Sequence, residues 1–236
     1  MLNKNKESIF KEHNEEVKEV WKTYREGKPI RVPMVLLVTT RNFLSDPSLN
    51  TKRVTYYDYH NDPDIMLDVQ IKTQDFVRHN IYADHEMGLP EKWSIQIDGG
   101  NFHHSAWYGC KINFTSYDSP DTKPLLNDDN KNMLFDIGIP DPFSGIYAKF
   151  KEMYEYLVEK IKSFEYKGVP VNPDIGVPAS FLAGSGVPFT TACKLRGTTQ
   201  MCMDMLLDPE YVKELLSYIT EAIIVRTRAW RKYLSL

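Results

Sequence analysis

Four stretches of the chain repeat apolar residues at spacings of three and four, which is the pattern of an amphipathic helix. The first covers about Lys4–Arg25 and ends at Gly27–Pro29. The second begins at Asp62–Pro63, the third covers roughly Ser144–Phe164, and the last begins at Asp208–Pro209. Asp followed by Pro is a strong helix start, because Asp caps free N–H groups and Pro fits the first turn. The last helix is expected to be roughly 38 Å long.

Apolar runs without helical spacing lie between these helices. Ile30–Val38 is rich in Val, Leu and Ile without polar alternation, which is typical of a strand covered on both faces. Asn80–Asp84 and a segment within Val169–Leu182 are further strand candidates, whereas Trp93–Asp98 alternates like a hairpin arm. Strands separated by amphipathic helices indicate βαβ units. The expected fold class is therefore α/β with a parallel sheet.

The number of βαβ units limits which α/β architectures are possible. Only three or four can be found, whereas a (β/α)₈ barrel needs eight. No strand follows the last helix, so the sheet is expected to be incomplete in these 236 residues. We expect a single domain over residues 1–236, with an N-terminal helix in 1–29 and a hairpin and loop insertion over 93–130.

Composition and charge exclude several classes of protein. With 42% hydrophobic and 26% charged residues, the chain is typical of a globular protein rather than a disordered one. A net charge of -3 gives no reason to expect a nucleic-acid partner. The longest apolar run, Met34–Val38, is far too short for a membrane span. The first ten residues lack an apolar stretch, and three cysteines are an odd count, so we expect reduced thiols and a cytoplasmic location.

Polar residues after two of the strand candidates are the first candidates for chemistry. Asp84 ends one candidate and His85 follows it, and there the carboxylate would accept hydrogen bonds and the imidazole would transfer a proton. Arg41 and Asn42 follow another, where a guanidinium can clamp a carboxylate. In both places the alternative is an ordinary solvated loop.

Two other motifs are less specific. The turn Gly184–Gly186 precedes a helical stretch, so its amides would cradle an anion or would only form a tight turn. His103 and His104, with Cys110, lack a fourth partner at any usual zinc spacing. We therefore predict no metal site and assign the two histidines to a polar surface or hairpin.

One longer stretch resembles a known enzyme family. Gly186–Gly197, with the sequence GVPFTTACKLRG, is followed by Met203–Met205 and by the helix start Asp208–Val212. This combination resembles the uroporphyrinogen decarboxylase family, which also includes corrinoid-linked methyltransferases. The similarity extends weakly upstream, to Arg41–Leu44 and to Tyr82–Asp84.

The resemblance implies a (β/α)₈ TIM barrel, here truncated after about the first half, with its active site at the C-terminal ends of the strands. It implies that Asp84 is the catalytic residue, which hydrogen-bonds pyrrole N–H groups in a tetrapyrrole decarboxylase. Further substrate contacts are expected from five residues. These are Arg41, Asn42, His85, Phe189 and Lys194.

The resemblance leaves three functions open. The first is a decarboxylase without a cofactor, acting on a small polycarboxylated substrate. The second is a methyltransferase acting on a methylated substrate, for which zinc and a cobamide partner would be needed. The third is a catalytically inert ligand-binding remnant. A homodimer or a complementing C-terminal half is the expected partner.

Overall fold

The structure is a computed structural model that describes residues 2–115, 118–182 and 188–236. Helices make up most of its regular structure. In chain order they are α1 (Leu2–Arg25), α2 (Thr40–Ser45), α3 (Tyr56–Asn61), α4 (Pro63–Asn80), α5 (His103–Trp107), α6 (Met133–Ile137), α7 (Ile146–Lys160), α8 (Ala179–Leu182), α9 (Pro188–Arg196), α10 (Thr198–Leu207) and α11 (Pro209–Tyr233). One turn of 3₁₀ helix, Ile161–Ser163, continues α7. None of the described helices is both long enough and apolar enough to cross a membrane.

The strands are few and short. β1 (Ile112–Asn113) pairs antiparallel with β2 (Asp121–Thr122), and β3 (Glu165–Tyr166) pairs antiparallel with β4 (Val169–Pro170). Within the described residues these are the two sheets, each of two strands. The predicted α/β class and the truncated TIM barrel are therefore wrong, because the described chain is mostly helical and lacks the parallel ladder of half a barrel.

The run Ile30–Val38 shows why the strand prediction failed. A strand needs neighbours that accept and donate its backbone hydrogen bonds. Among the described residues, the backbone of this run bonds to the backbone of Asp84, whose N–H donates to the Met34 carbonyl at 2.7 Å. The apolar side chains stay largely outside the core, and Leu37 is 83% exposed. A continuous apolar run is thus not sufficient for a buried strand.

Prolines limit the other long strand candidate. Val169–Leu182 contains Pro170, Pro173 and Pro178, none of which can donate to a ladder. After β4 the candidate forms only single bridges, at Val171 and Gly176, and it ends as helix α8. Trp93–Asp98 is not a hairpin arm either, because it forms single parallel bridges from Trp93 to Val171 and from Gln96 to Gly176.

The helix predictions agree with the structure. α1, α4, α7 and α11 begin and end close to the predicted limits. The Asp208 carboxylate caps α11 by accepting from the Tyr211 N–H at 3.3 Å, and Pro209 occupies the first helical position. Capping and amphipathic spacing are local signals, so they predicted these helices without knowledge of the fold.

The chain divides into two compact units, each assembled from three stretches. Unit 1 consists of Met1–Thr55, Asp64–Ile95 and Lys160–Asp174. Its fully or almost fully buried side chains come from α1, from α4 and from the segment after α4. They include Val17, Val20, Met66, Leu67, Ile71 and Trp93. The prediction of a single domain over 1–236 stays a prediction.

Unit 2 consists of Tyr56–Pro63, Gln96–Glu159 and Ile175–Leu236. Its longest helix, α11, packs against α8, α9 and α10. The side of α11 that faces this core carries Leu215, Ile219, Ile223 and Trp230, at spacings of four or seven residues. An arginine, Arg226, occupies the same side and is also buried.

Candidate functional site

The predicted catalytic residue, Asp84, is held by an ion pair within unit 1. Arg31 donates from Nη1 to Oδ2 at 2.5 Å and from Nη2 to Oδ1 at 2.6 Å. The Met34 backbone N–H also donates to Oδ2, at 2.6 Å. The Asp84 side chain is 5% exposed. The carboxylate is therefore engaged by the chain itself rather than open to a ligand.

Helix α1 is fixed to the segment that follows Asp84. The Trp21 indole N–H donates to the Asp84 carbonyl at 2.7 Å. Asn14 donates to the Met87 carbonyl at 3.0 Å and accepts from the Met87 N–H at 2.7 Å. His13 Nε2 lies 3.1 Å from the His85 carbonyl. These bonds indicate that Asp84–Met87 anchors the N-terminal helix.

The Arg31–Asp84 pair makes unit 1 sensitive to acid. The Arg31 hydrogen bonds lower the pKa of Asp84 to about 2. A depressed pKa stabilises the folded state above about pH 3.9, the pKa of an unfolded Asp, and this stabilisation is lost as the pH falls through about 2. In urea denaturation, the free-energy difference between the wild type and Asp84→Asn is therefore expected to shrink between pH 4 and pH 2. Glu12→Gln, an exposed position on α1, is the matched control. A difference that stays constant over this range would contradict the assignment.

The other predicted contacts in unit 1 have local roles. Asn42 Oδ1 accepts from the Thr39 N–H and hydroxyl, both at 2.9 Å, so it caps α2. Arg41 is exposed in the first turn of α2. The His85 Nε2 lies 3.4 Å from the Val77 carbonyl, and burial lowers the pKa of His85. Their role as substrate contacts stays a prediction.

Phe189 and Lys194 lie in unit 2, on α9 rather than at a strand end. Phe189 is exposed in the first turn of the helix. Lys194 forms an ion pair with Asp121 on β2. The turn Gly184–Gly186 lies outside the described residues.

Unit 2 contains a group of polar side chains that we call the Arg226 cluster. Its members come from α5, α7, α8 and α11 and from the residue after α5. They are His103, His104, Tyr108, Tyr147, Ser180 and Arg226. The prediction that His103 and His104 belong to a polar surface is wrong, because His103 is buried and His104 is largely so.

Two glycines explain how α5 begins at this place. Gly100 has a φ of 58°, and a Cβ there would lie 2.5 Å from the Phe102 ring. A Cβ on Gly99 would lie 3.0 Å from His103 Nδ1. Asp98 closes the turn by accepting from the Gly100 N–H at 2.9 Å and from the Tyr59 hydroxyl at 3.0 Å. The turn therefore directs His103 into the core.

Arg226 is the central charge of the cluster and is 0% exposed. Its guanidinium carbon lies 4.8 Å from the centroid of the Tyr147 ring and 5.1 Å from that of Trp107. Nη2 donates to the Ser180 carbonyl at 3.4 Å. Nε and Nη1 have no hydrogen-bond partner among the described residues. No carboxylate in the described part of the chain forms a salt bridge with this arginine.

Other buried polar atoms close to this arginine also lack partners within the described chain. They are His104 Nδ1, the hydroxyls of Tyr108, Tyr147 and Thr227, and the indole nitrogen of Trp230. Buried polar atoms are nearly always hydrogen-bonded in native proteins, so several in one place require an explanation. A bound ligand that carries acceptor atoms would provide one.

The titratable neighbours of Arg226 are neutral at pH 7. Burial lowers the pKa of His103 to about 4 and that of His104 to about 2. Burial also raises the pKa of the Tyr108 and Tyr147 phenols. Arginine keeps its proton even when burial lowers its pKa. The cluster therefore holds one uncompensated positive charge.

Sequence spacing contained a signal for Arg226 that our reading of α11 missed. The apolar stripe of α11 runs through Ile219 and Ile223 to Trp230. Position 226 fits it equally well, because it lies three residues after Ile223 and four before Trp230. An arginine on the apolar side of a helix is the signal of a buried charge.

The chain has no match among protein-family models, curated proteins or solved structures. The resemblance to the uroporphyrinogen decarboxylase family thus stays a hypothesis drawn from the sequence. No cluster of three or more His, Cys, Asp or Glu side chains suited to a metal ion occurs in residues 2–115, 118–182 and 188–236.

Proposed function

We propose that the protein binds a small carboxylate at Arg226, so that its function is the recognition of a small organic acid. The observation that carries this proposal is the fully buried guanidinium with two unpartnered nitrogens and no described carboxylate partner. Leaving a charge buried and unpaired costs several kcal/mol. An anion that accepts hydrogen bonds from the guanidinium offsets this cost.

The surroundings favour a carboxylate of small size. Guanidinium and carboxylate groups match in geometry and form strong charge-assisted hydrogen bonds. The rings of Tyr147 and Trp107 flank the guanidinium at about 5 Å, which restricts the volume for a ligand. The Tyr108 and Tyr147 hydroxyls are neutral donors that can bond to a second carboxylate oxygen.

A thermal-unfolding titration of the full chain tests the proposal. Formate and acetate are expected to raise the melting temperature, while the isosteric neutral molecule acetamide has no effect. At a ligand concentration 100 times the Kd, stabilisation reaches about 2.7 kcal/mol. For a chain of this size that corresponds to roughly 5 °C or more.

The titration has two outcomes that reject the carboxylate. An equal response to chloride and to acetate would show that charge alone is recognised. The absence of a response to every anion would show that water satisfies the free nitrogens of Arg226. The fluorescence of Trp107 and Trp230 provides a second readout. It should change over the same range of acetate concentration that raises the melting temperature.

A further inference from the structure

Ser180 and His103 form a hydroxyl–imidazole pair within the Arg226 cluster. The Ser180 Oγ lies 3.1 Å from His103 Nε2. On the other side of the ring, Nδ1 lies 2.8 Å from the Gly100 carbonyl and 3.2 Å from the Gly99 carbonyl. Carbonyl oxygens only accept, so Nδ1 carries the proton and Nε2 presents its lone pair to the Ser180 hydroxyl. This is the arrangement in which an imidazole removes a proton from a serine.

The imidazole is held in this orientation by its packing. Its ring centroid lies 5.4 Å from that of Phe181 and 6.0 Å from that of Tyr147. Burial lowers the pKa of His103 to about 4, so the ring is neutral at pH 7, and the same burial makes it a weaker base than a free imidazole. Ser180 is half-buried, whereas His103 is fully enclosed. A serine nucleophile needs a base within hydrogen-bond reach and a hydroxyl that a substrate can approach.

Arg226 places a positive charge beside the same serine. Its Nη2 lies 3.4 Å from the Ser180 carbonyl oxygen. A buried positive charge stabilises the negative charge that develops when a serine attacks a carbonyl carbon. It also favours an anionic substrate over a neutral one. His103 therefore contacts the hydroxyl of Ser180, and Arg226 contacts the backbone carbonyl of the same residue.

We propose that Ser180, activated by His103, hydrolyses a small ester that carries a carboxylate. The choice of an anionic ester rests on the proposed function, because it takes Arg226 as the anion site. The Ser180–His103 pair rests on its own geometry. It extends the protein's role from binding an organic acid to releasing one.

The reaction balances without a cofactor. The Ser180 O–H bond breaks, its proton passes to His103 Nε2, and Oγ bonds to the ester carbon. The carbonyl electron pair moves to oxygen and returns, the ester C–O bond breaks, and the leaving alcohol takes the proton from Nε2. Water then repeats the sequence on the acyl-serine, with His103 again holding the proton. An ester and water become an acid and an alcohol.

A fluorophosphonate, a neutral reagent that reacts with activated serines, tests the pair on the full chain. Peptide mass spectrometry of the wild-type protein is expected to find the label on Ser180. Ser180→Ala should abolish this label. The matched control is Ser144→Ala, whose hydroxyl donates to the Asp141 carbonyl instead of to an imidazole, and it should label like the wild type. His103→Gln keeps Ser180 and should slow labelling at least about 100-fold.

The outcomes separate the two proposals. A wild-type protein that shows no label at Ser180 overturns the nucleophile, even where acetate stabilises the chain. Unchanged labelling in His103→Gln overturns the role of the base. Labelling at Ser180 together with faster hydrolysis of the anionic ester monomethyl succinate than of the neutral ester methyl butyrate supports the whole proposal. Equal rates for these two esters overturn the anionic substrate class and leave the pair in place.

Discussion

Replacing Arg226 by methionine is expected to stabilise the ligand-free protein and to remove its response to carboxylates. Methionine fills much of the same space with apolar atoms and leaves no charge in the core. Exchanging buried charged groups for apolar ones stabilises proteins by up to about 4 kcal/mol, and here no described carboxylate compensates the charge. Urea denaturation gives the stability, and thermal unfolding with acetate gives the response. A gain in stability with a loss of binding would mark Arg226 as a functional residue.

Arg228 supplies the matched control for this experiment. It lies on the same helix, α11, but is exposed. Arg228→Met should change neither the stability by more than about 0.5 kcal/mol nor the acetate response. If Arg226→Met still responds to acetate as the wild type does, the anion binds elsewhere. If it is strongly destabilised, the guanidinium makes a structural contribution that outweighs its burial.

Trp230→Ala is expected to lower the free energy of unfolding of unit 2 by about 3–5 kcal/mol. Trp230 is completely buried, and its ring centroid lies 4.9 Å from Phe181, 5.3 Å from Phe143 and 6.0 Å from Tyr147. Removing the indole leaves a cavity and breaks these aromatic contacts. Urea denaturation followed by far-ultraviolet circular dichroism measures the change.

Leu206→Ala is the control for this substitution, because Leu206 is an apolar residue of the same unit that is 85% exposed. Its replacement should alter stability by no more than about 0.5 kcal/mol. A loss below 1 kcal/mol for Trp230→Ala would show that the aromatic core of unit 2 is not tightly packed. The Ser180–His103 pair depends on the same core, since Phe181 contacts both Trp230 and His103.

Local signals explain which elements the sequence predicted correctly. α11 has a capping aspartate, a proline in its first turn and an apolar stripe, and each of these acts within a few residues. α4 has the same signals, and α1 was found from its apolar spacing and from Gly27–Pro29 at its end. Strands depend on partners far away in the chain, which spacing does not reveal. Ile30–Val38 has the composition of a buried strand, but no strand in the described part of the chain pairs with it.

The candidate site was predicted less well than the helices for a related reason. Asp84 was recognised as an important carboxylate, but its partner Arg31 was not, because 53 residues separate them. His103 has the polarity of a surface residue, yet it is buried directly after the Gly99–Gly100 turn. Burial depends on the fold. The type of a residue therefore does not show whether its polar group is buried, nor what chemistry burial gives it.

Each unit is assembled from three separate stretches of the chain, and this affects how the protein folds during its synthesis. Unit 1 includes Lys160–Asp174, so it cannot be completed until those residues have left the ribosome. Until then the nascent chain carries the apolar sides of α1 and α4 without the last stretch of their unit. Unpaired apolar segments of this kind aggregate readily and are bound by chaperones. Newly made chains are therefore expected to need chaperone protection until synthesis has passed Asp174.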